Sequence, residues 1–535
     1  MTHEVFNQVP PLVGYDTAED AALLEGLHRE GAGWAEEEVR VLGRLAGSHQ
    51  AQEWGRQANE NPPVLHTHDR YGHRIDEVEF HPAWHDLMRT AVTHGLHGRP
   101  WADPRPGAHL ARAAKFYSWR VDAGHGCPIS MTYAAIPALR QEPALAATYE
   151  PLLTAETYDF GLRAPLGKSG LLAGMSMTEK QGGSDVRANT TTGVAEADGT
   201  YRLTGHKWFT SAPMCDVFLT LAQTPAGVTC FLVPRVLPDG TLNSLRLMRL
   251  KDKLGNRSNA SAEIEYSQAL GWRVGDEGRG VRTIIEMVNM TRLDCVIGAA
   301  AGMRQGLTVA AHHCAHRTAF GKRLADHPLM QNVLADLALE SEAATLLMTR
   351  LAGATDRGET AFKRLALAVG KYWVCKRWPA HTAEALECLG GNGYVEESGM
   401  PRLFRESPLN SLWEGSGNVA SLDVLRAMMR EPETLEAFFA EVELASGADG
   451  NLDAAIREAK EAFTDVDTLE FRARRIAERL ALILQASLLV RHGSPAVADA
   501  FCASRLTNDW GHAFGTLPPH LDFKTIIERA TPNIG

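Results

Sequence analysis

Apolar residues recur at helical spacing through most of the first 170 residues of the chain. Residues 35–45 and 108–121 are amphipathic with a period near 3.6, and clusters of Pro and Gly, such as those at 61–63 and 99–104, separate segments of this kind. This period places apolar side chains along one face of a helix. The pattern therefore predicts an N-terminal helical domain over residues 1–170.

The spacing of apolar residues changes to two between residues 171 and 280. The alternation is clearest in two sets of positions: Val217, Leu219 and Leu221, and Ala262, Ile264 and Tyr266. Asp-Gly pairs at 198–199 and 239–240 supply turns of the kind that join antiparallel strands. We therefore predict a middle β domain over residues 171–280.

Helical spacing returns after residue 280, most clearly in residues 328–351, where Leu and Met recur on one face. The pattern predicts a helical bundle over residues 281–435. An acidic stretch at 431–450 ends in Ala-Ser-Gly-Ala-Asp-Gly and predicts a linker. Beyond it, residues 446–535 are predicted to form an additional C-terminal helical domain. The fold class expected is mainly α with a middle β domain.

Composition limits the classes of protein that this chain can belong to. A formal charge of -11 and a pI near 6.0 exclude a chain that is basic over its whole surface, so DNA binding would have to be regional. The eight cysteines include no Cys-x-x-Cys pair, which argues against a zinc ribbon or a redox dithiol. No uninterrupted apolar run reaches the roughly 18 residues of a membrane span. We expect a cytoplasmic protein with reduced thiols.

Three separated segments combine glycine turns with polar and aromatic side chains. They are the loop at 177–185 (MTEKQGGSD), the segment at 207–211 (KWFTS) and the turn at 413–418 (WEGSGN). A flavin site of this kind requires backbone hydrogen-bond donors, an aromatic side chain that stacks on the ring and a carboxylate on the substrate side. The three segments supply these parts, so the sequence predicts a site for a large planar cofactor with an acid beside it.

Further motifs, at 252–258 (DKLGNRS), 317–321 (RTAFG) and 389–394 (LGGNGY), follow in a fixed order. Together with the three segments above, they resemble the acyl-CoA dehydrogenase flavoproteins over residues 110–430. Four segments towards the N-terminus are similar to the AidB branch of that family, which belongs to the bacterial adaptive response to DNA alkylation. These segments lie at 6–12, 29–34, 61–63 and 80–85.

The resemblance implies an acyl-CoA dehydrogenase-like fold: an N-terminal α domain, a small β-barrel and a C-terminal four-helix bundle, plus an extra C-terminal helical domain. It implies FAD as cofactor, an acyl-CoA or similar thioester as substrate, and electron-transfer flavoprotein or another acceptor as partner. A homotetramer, binding to double-stranded DNA and a role in the response to DNA alkylation are also implied. No membrane partner is expected.

Glu414 is the residue that we expect to act as catalytic base. Removal of a proton beside a thioester carbonyl requires a positioned carboxylate, hydrogen bonds to the carbonyl oxygen and a nearby hydride acceptor. By resemblance, Glu414 takes the α-proton, the β-hydride goes to the flavin, and burial raises the pKa of the base. Some relatives place the base at the position of Thr291, where threonine cannot serve. Spacing alone also fits a glutamate that merely occupies a glycine turn.

The resemblance also assigns the cofactor-binding positions. The loop supplies donors and hydroxyls, the aromatic segment a wall for the flavin, and the Arg317 motif reaches the FAD diphosphate and adenine of a neighbouring subunit. Where many relatives carry a glutamine after this motif, the chain has Pro328. The expected residues are Met175, Met177, Thr178, Gly182, Gly183, Ser184, Trp208, Phe209, Thr210, Ser211, Arg317, Phe320, Gly391, Ser416 and Asn418.

Two other clusters have more ordinary interpretations. Arg472, Arg475 and Arg479 lie on one helical stripe that can meet phosphates, although a solvated helix face is the general expectation for such a run. His312 and His316 share a helical face, but no carboxylate at matching spacing accompanies them, so no metal site is expected. The arginines are the candidate DNA contacts.

The function predicted is that of an FAD-containing oxidoreductase of the AidB type, with proton abstraction by Glu414 and hydride transfer to the flavin. It is associated with the response to DNA alkylation. The main alternative is a metabolic dehydrogenase of short or branched acyl-CoA with no role on DNA. Flavin-dependent monooxygenases of the same fold generally lack a glutamate at position 414, and acyl-CoA oxidases lack flanks of this kind.

Overall fold

The computed structural model describes residues 2–463, 465 and 467–532. Helix is the predominant secondary structure, with the strands concentrated in the middle of the chain. Within the described residues, no helix combines the length and apolar composition that crossing a membrane requires.

The chain forms two compact units, and each is assembled from more than one stretch of sequence. The first, here termed the barrel unit, comprises residues 50–105 and 121–291. The second, termed the bundle unit, comprises residues 1–49, 106–120 and 292–535. The four-part domain division made from the sequence remains a prediction.

The helices before residue 170 include both amphipathic segments identified in the sequence. They are α1 (Ala21–Arg29), α2 (Glu36–Ala46), α3 (His49–Glu60), α4 (Pro82–Thr93), α5 (Arg99–Ala102), α6 (Ala108–Ser118), α7 (Gly126–Leu139) and α8 (Pro143–Leu153). One element departs from the predicted helical pattern: β1 (Val64–His68) and β2 (Arg74–Glu79) pair as an antiparallel hairpin. Its turn is closed by Asp69, whose carboxylate accepts hydrogen bonds from the Tyr71 and His73 amides.

The strands of the barrel unit close on themselves. They are β3 (Ala173–Ser176), β4 (Thr192–Ala195), β5 (Tyr201–Ser211), β6 (Val217–Thr224), β7 (Gly227–Pro234), β8 (Leu245–Leu250) and β9 (Ser261–Val274). Neighbouring strands follow the order β6, β4, β5, β9, β7, and β7 pairs back to β6; β3 adds beside β6, and β8 beside β9. The alternating positions 217, 219 and 221 fall in β6. This closed sheet is the small barrel expected from the sequence.

The bundle unit contains the long helices. The chain continues through α9 (Gly280–His316), the short hairpin β10 (Thr318–Ala319) and β11 (Lys322–Arg323), then α10 (Pro328–Asp356), α11 (Thr360–Glu387), α12 (Met400–Glu406), α13 (Leu409–Leu412) and α14 (Gly417–Arg430). Helices α9 and α11 pack so closely that only glycine fits at position 302 of α9. A Cβ there would lie 2.1 Å from the ring of Trp378, on α11. The expected fold class, mainly α with a middle barrel and C-terminal helices, is confirmed.

The last helices are α15 (Pro432–Val442), α16 (Gly450–Glu461), α17 (Leu469–His492), α18 (Pro495–Phe501) and α19 (Phe523–Ala530), with a π-helical turn at Cys502–Leu506. The linker predicted at 431–450 is wrong, because most of that stretch is α15. Its acidic residues alternate with Phe438, Phe439 and Val442, which are buried. Apolar residues of α15–α19 belong to the same hydrophobic cluster as those of α9–α11.

A buried arginine ties the C-terminal helices to the bundle. Arg505, in the π-helical turn, is 1% exposed and binds the carboxylate of Asp336 in α10. Glu340, one turn further along α10, lies 3.4 Å from the same guanidinium nitrogen. Asp336 also accepts a hydrogen bond of 2.9 Å from the Gly515 amide. This charged cluster therefore holds two C-terminal segments on one helix.

We expect Arg505→Ala to destabilise the protein by about 3 kcal/mol, because the buried Asp336 carboxylate loses its ion-pair partner and Glu340 keeps only Arg377. Urea unfolding followed by circular dichroism measures the change. Lys524→Ala is a suitable control, since its ion pair with Glu528 spans 3.8 Å between exposed side chains. A midpoint for Arg505→Ala equal to that of the control would contradict the assigned role.

Candidate active site

In the barrel unit, the glycine loop follows β3 and folds back on itself. Glu179 and Gly182 form an antiparallel bridge, and Gly182 has φ 121°, a conformation that favours glycine. The Trp208 amide donates to the Thr178 carbonyl at 2.8 Å, which ties the loop to β5. Gly183 and Ser184 are exposed at the tip. The loop therefore presents main-chain groups and hydroxyls at the surface of this unit.

Close packing within the loop requires a second glycine. A Cβ at Gly183 would lie 2.5 Å from the Thr178 hydroxyl oxygen, so a side chain there would displace that hydroxyl. Met175, Met177, Thr178 and Gly182 are partly exposed beside it. These residues leave an accessible polar cradle of the kind that accepts a phosphate or a flavin edge.

A buried ion pair anchors the loop to the barrel. Glu179 and Lys207 have fully buried side chains, and the Lys207 ammonium lies 2.9 Å from the carboxylate. The other acceptor positions of Glu179 are filled by the Thr190 amide at 2.7 Å and hydroxyl at 2.9 Å, and by the Thr191 amide at 3.1 Å. Lys207 also donates to the Leu221 carbonyl at 2.7 Å. The pair thus joins the loop to β5 and β6.

The pKa values of this pair follow from burial and hydrogen bonding. Burial acts to raise the pKa of Glu179, but the Thr191, Lys207 and Thr190 donors outweigh it and hold that pKa at about 2. Burial lowers the pKa of Lys207 to about 8, despite the attraction of Glu179. Both groups are therefore charged at neutral pH.

The aromatic segment lies at the end of β5. The Lys251 ammonium sits 3.4 Å from the centre of the Trp208 ring, and Phe209 is 49% exposed. Thr210 is buried and its hydroxyl is 2.6 Å from that of Ser176 at the end of β3. Ser211 is partly exposed. The segment therefore combines an accessible aromatic surface with anchored hydroxyls.

In the bundle unit, Glu414 lies in the turn between α13 and α14. Its φ is 56°, a left-handed conformation that is unfavourable for residues other than glycine. The Lys371 ammonium, on α11, donates to the carbonyls of Trp413, at 2.8 Å, and Gly415. Arg292 Nε, on α9, donates to the Glu414 carbonyl at 2.9 Å. Two buried cations therefore fix three consecutive carbonyl groups.

Arg292 is itself held in place by acidic residues of the bundle. Its guanidinium lies 2.7 Å from Asp423 on α14, and Asp423 also binds Arg364 at 3.0 Å. Burial acts to raise the pKa of Asp423, but Arg292 and Arg364 outweigh it and lower that pKa. The carboxylate therefore stays ionised and keeps Arg292 directed at the turn.

The remaining predicted positions have varied surroundings. Thr291 is buried, and its hydroxyl donates to the Val288 carbonyl of its own helix at 3.0 Å. Gly391 is exposed, and Ser416 is the N-cap of α14 without a side-chain capping bond. Asn418 is exposed and accepts a hydrogen bond of 2.8 Å from Arg474 Nε, on α17.

The Arg317 motif forms the hairpin of β10 and β11. Phe320, at its tip, is 97% exposed with φ 50°, beside Gly321 with φ 79°. The N-terminal segment braces the hairpin, because Asn7 accepts hydrogen bonds of 2.8 Å from the Thr318 amide and hydroxyl and its carbonyl binds the Arg317 guanidinium. The aromatic ring is thus presented outward on a braced turn.

The arginine stripe of α17 is partly engaged within the chain. Arg472 donates to Thr468 at 2.7 Å and to the Ala462 carbonyl at 2.8 Å. Arg479 lies 3.5 Å from Glu458, whereas Arg475 is exposed. Across the described residues, no group of three His, Cys, Asp or Glu side chains is arranged to hold a metal ion.

Sequence reasoning missed both Lys371 and Arg292 as contributors to the Glu414 turn. A local signal exists for Lys371, because it is a single cation within the apolar run at 365–375 of a buried helix. Such a lysine requires buried acceptors. Nothing local indicates that the acceptors lie beside Glu414.

The glycine loop and the Glu414 turn are two of the segments through which the sequence resembles the acyl-CoA dehydrogenase flavoproteins, and family models test that resemblance. Three family models match in order: the adaptive response protein AidB N-terminal domain at 7–160, and the acyl-CoA dehydrogenase middle and C-terminal domains at 174–269 and 278–429. The chain belongs to the acyl-CoA dehydrogenase family, in its AidB branch.

Individual relatives agree with this assignment. The chain is 46% identical to the AidB protein of Escherichia coli strain K12, over 95% of each sequence. It is 32% identical to acyl-CoA dehydrogenase family member 11 of Caenorhabditis elegans, over 82% of this chain and 77% of that protein. The crystal structure of C. elegans ACDH-11 in complex with C11-CoA superposes with a TM-score of 0.85 and 28% identity, covering 94% of this chain and 93% of the other.

Members of this family are FAD-dependent, which confirms the cofactor expected from the sequence. A Bacillus anthracis acyl-CoA dehydrogenase complexed with FAD shares the fold, with a TM-score of 0.65 at 19% identity, covering 80% of this chain and 81% of that one. The residues present here fit the cofactor. The main chain around Gly183 and the hydroxyls of the loop suit phosphate or flavin oxygens. The partly exposed rings of Trp208 and Phe209 suit contact with a planar ring.

The Glu179 carboxylate makes the stability of the barrel unit depend on pH. Its pKa in the folded protein, about 2, lies below the ordinary value of 4.5, so its stabilisation is complete above about pH 4.5 and is lost as pH falls towards 2. We expect a loss of up to about 3 kcal/mol in this window. Urea unfolding of wild type and Glu179→Gln between pH 2.5 and pH 6 tests this. Parallel curves for the two proteins would contradict it.

Removal of the Lys371 ammonium is expected to lower kcat about 100-fold with little change in KM, because the turn that carries Glu414 shifts. Lys371→Met keeps most of the side-chain volume. Lys363→Ala, on the same helix, is the control, since its ammonium contacts Thr355 at 3.4 Å, away from the turn. The measurement is steady-state kinetics with a saturable acyl-CoA. A folded Lys371→Met protein with wild-type kcat would overturn the positioning role.

Proposed function

We propose that this protein is an FAD-dependent acyl-CoA dehydrogenase of the AidB type, in which Glu414 removes the α-proton of an acyl-CoA. The observation that carries the proposal is the Glu414 turn. A glutamate in a costly backbone conformation, with its own carbonyl and both neighbouring carbonyls bonded to buried cations, is the arrangement expected of a residue whose position matters. In this family, a carboxylate in such a turn fits a catalytic base.

The chain supplies the base and its orientation. Lys371 and Arg292 fix the main chain on both sides of Glu414, so the carboxylate starts from a defined position beside the substrate. By similarity to the family, a main-chain N–H of the same turn would help to hold the thioester oxygen, which lowers the cost of removing the α-proton. When bound, FAD would supply the acceptor for a hydride from the β-carbon. In the barrel unit, the loop at 177–185, Trp208 and Thr210 would hold it.

The substrate class follows from the relatives. The C. elegans ACDH-11 structure contains C11-CoA, and similarity to it over most of the chain supports a fatty acyl-CoA substrate. Oxidation of the acyl-CoA would release two electrons, and electron-transfer flavoprotein is the partner that we propose to accept them. A homotetramer in the cytoplasm completes the proposal and is supported only by membership of the AidB branch.

Binding to double-stranded DNA and a role in the response to DNA alkylation remain predictions. The likeness to E. coli AidB favours them. The contacts of α17 favour them less, because Arg472 and Arg479 already have partners within the chain. Arg475 is the member of the stripe that is exposed without an ion pair among the described residues. The geometry therefore supports the dehydrogenase more strongly than the DNA role.

We expect anaerobic addition of a suitable acyl-CoA to bleach the flavin absorbance of wild-type protein but not of Glu414→Gln, because the variant has no base. A panel of short, branched, medium and C11 acyl-CoA substrates identifies the preferred chain. Glu397→Gln, an exposed glutamate on a nearby stretch of sequence, should bleach like wild type. Oxygen consumption during turnover separates an oxidase from a dehydrogenase.

Two results would count against the proposal. Absence of bleaching in FAD-loaded wild type with every acyl-CoA would leave the DNA-associated function as the better explanation. Equal bleaching rates in wild type and Glu414→Gln would show that another residue is the base.

A further inference from the structure

A residue of the C-terminal helix α17 reaches the segment that follows the catalytic turn. Arg474 Nε donates to the side-chain oxygen of Asn418, in the first turn of α14, at 2.8 Å. Arg474 lies beyond residues 278–429, which match the acyl-CoA dehydrogenase C-terminal domain. This contact is therefore made by a part of the chain outside the matched dehydrogenase domain.

A second cation converges on the same place. A Cβ on Gly417, the first residue of α14, would lie 3.3 Å from Arg474 Nη2, 2.8 Å from Lys376 Cε and 3.4 Å from Lys376 Nζ. Glycine at this position leaves room for both side chains. The guanidinium and the ammonium thus approach one small patch of surface at the start of α14.

The positive charge of this patch is uncompensated. Arg474 is exposed and Lys376 is half-buried, and neither has a carboxylate within ion-pair distance in the part of the chain that the structure describes. Burial is the main cause of a lowered pKa for Lys376, and repulsion from Arg474 and Lys371 adds to it. Two cations that lie close together without a carboxylate to neutralise them suit a doubly charged anion.

We propose that Arg474 and Lys376 form a subsite for the diphosphate of FAD. This inference rests on the proposed function. FAD and CoA both carry a diphosphate. That of FAD is joined to the reacting ring by a short ribityl chain, whereas the longer pantetheine arm separates that of CoA from the thioester. Asn418 lies only four residues after Glu414, the proposed base. The diphosphate bound there is therefore the one that lies nearer to the reacting atoms, which is that of FAD.

The test is fluorescence titration of full-length apoprotein with FAD. Arg474→Ala is expected to raise the Kd for FAD at least tenfold, because it removes charge-assisted hydrogen bonds to the diphosphate. Lys376→Ala should act in the same direction. Riboflavin, which has no phosphate, should bind wild type and both variants equally, and this shows that the variants remain folded.

Arg475→Ala is the matched control, since it removes the same charge from the adjacent position of α17 without a contact to Asn418. It should retain wild-type affinity for FAD. Unchanged FAD affinity in Arg474→Ala, or an equal loss in Arg475→Ala, would overturn the subsite. So would a loss of CoA affinity in Arg474→Ala holoprotein with FAD affinity intact. Failure of wild type to bind FAD would instead refute the proposed function.

Discussion

The backbone around Glu414 depends on two buried cations. A glutamate with φ 56° is costly by about 1 kcal/mol or more, and such conformations persist only where the surroundings enforce them. Here the enforcement comes from Lys371 and Arg292, which lie on two different long helices and donate to three consecutive carbonyls. The position of the proposed base is therefore set by the packing of the bundle and not by the turn sequence alone.

These two cations are stabilised in different ways. Arg292 is paired with Asp423, so its charge is neutralised within the bundle. Lys371 has no carboxylate within ion-pair distance among the residues described, and its acceptors are neutral carbonyls of the turn. A buried ammonium is tolerable only when its donors are satisfied. The turn therefore satisfies the Lys371 ammonium on α11 while Lys371 fixes the turn, so the backbone geometry around Glu414 is coupled to the stability of the bundle.

Much of the fold was predictable because it depends on short-range patterns. Periods of 3.6 and two located α2, α6, α10, β6 and β9, and glycine motifs located the loop at 177–185 and the turn at 413–418. The β1–β2 hairpin was missed because its two strands are short and lie between helical segments. Helix α15 was missed because its acidic residues suggest a linker, although apolar residues recur on one face of it. Contacts such as Arg292 with Glu414 join residues far apart in the chain, and no local pattern encodes them.

The C-terminal segment illustrates how a charge run changes meaning once its neighbours are known. From sequence, residues 472–479 of α17 offered a basic stripe for phosphates. In the structure, Arg472 and Arg479 are bound to neighbouring residues of the same segment, and Arg474, on a different side of the helix, contacts Asn418. Because α17 also shares the hydrophobic core of the bundle, its arginines cannot be treated as an independent binding surface. Arg474 thus links this part of the chain to a residue of the segment that follows Glu414.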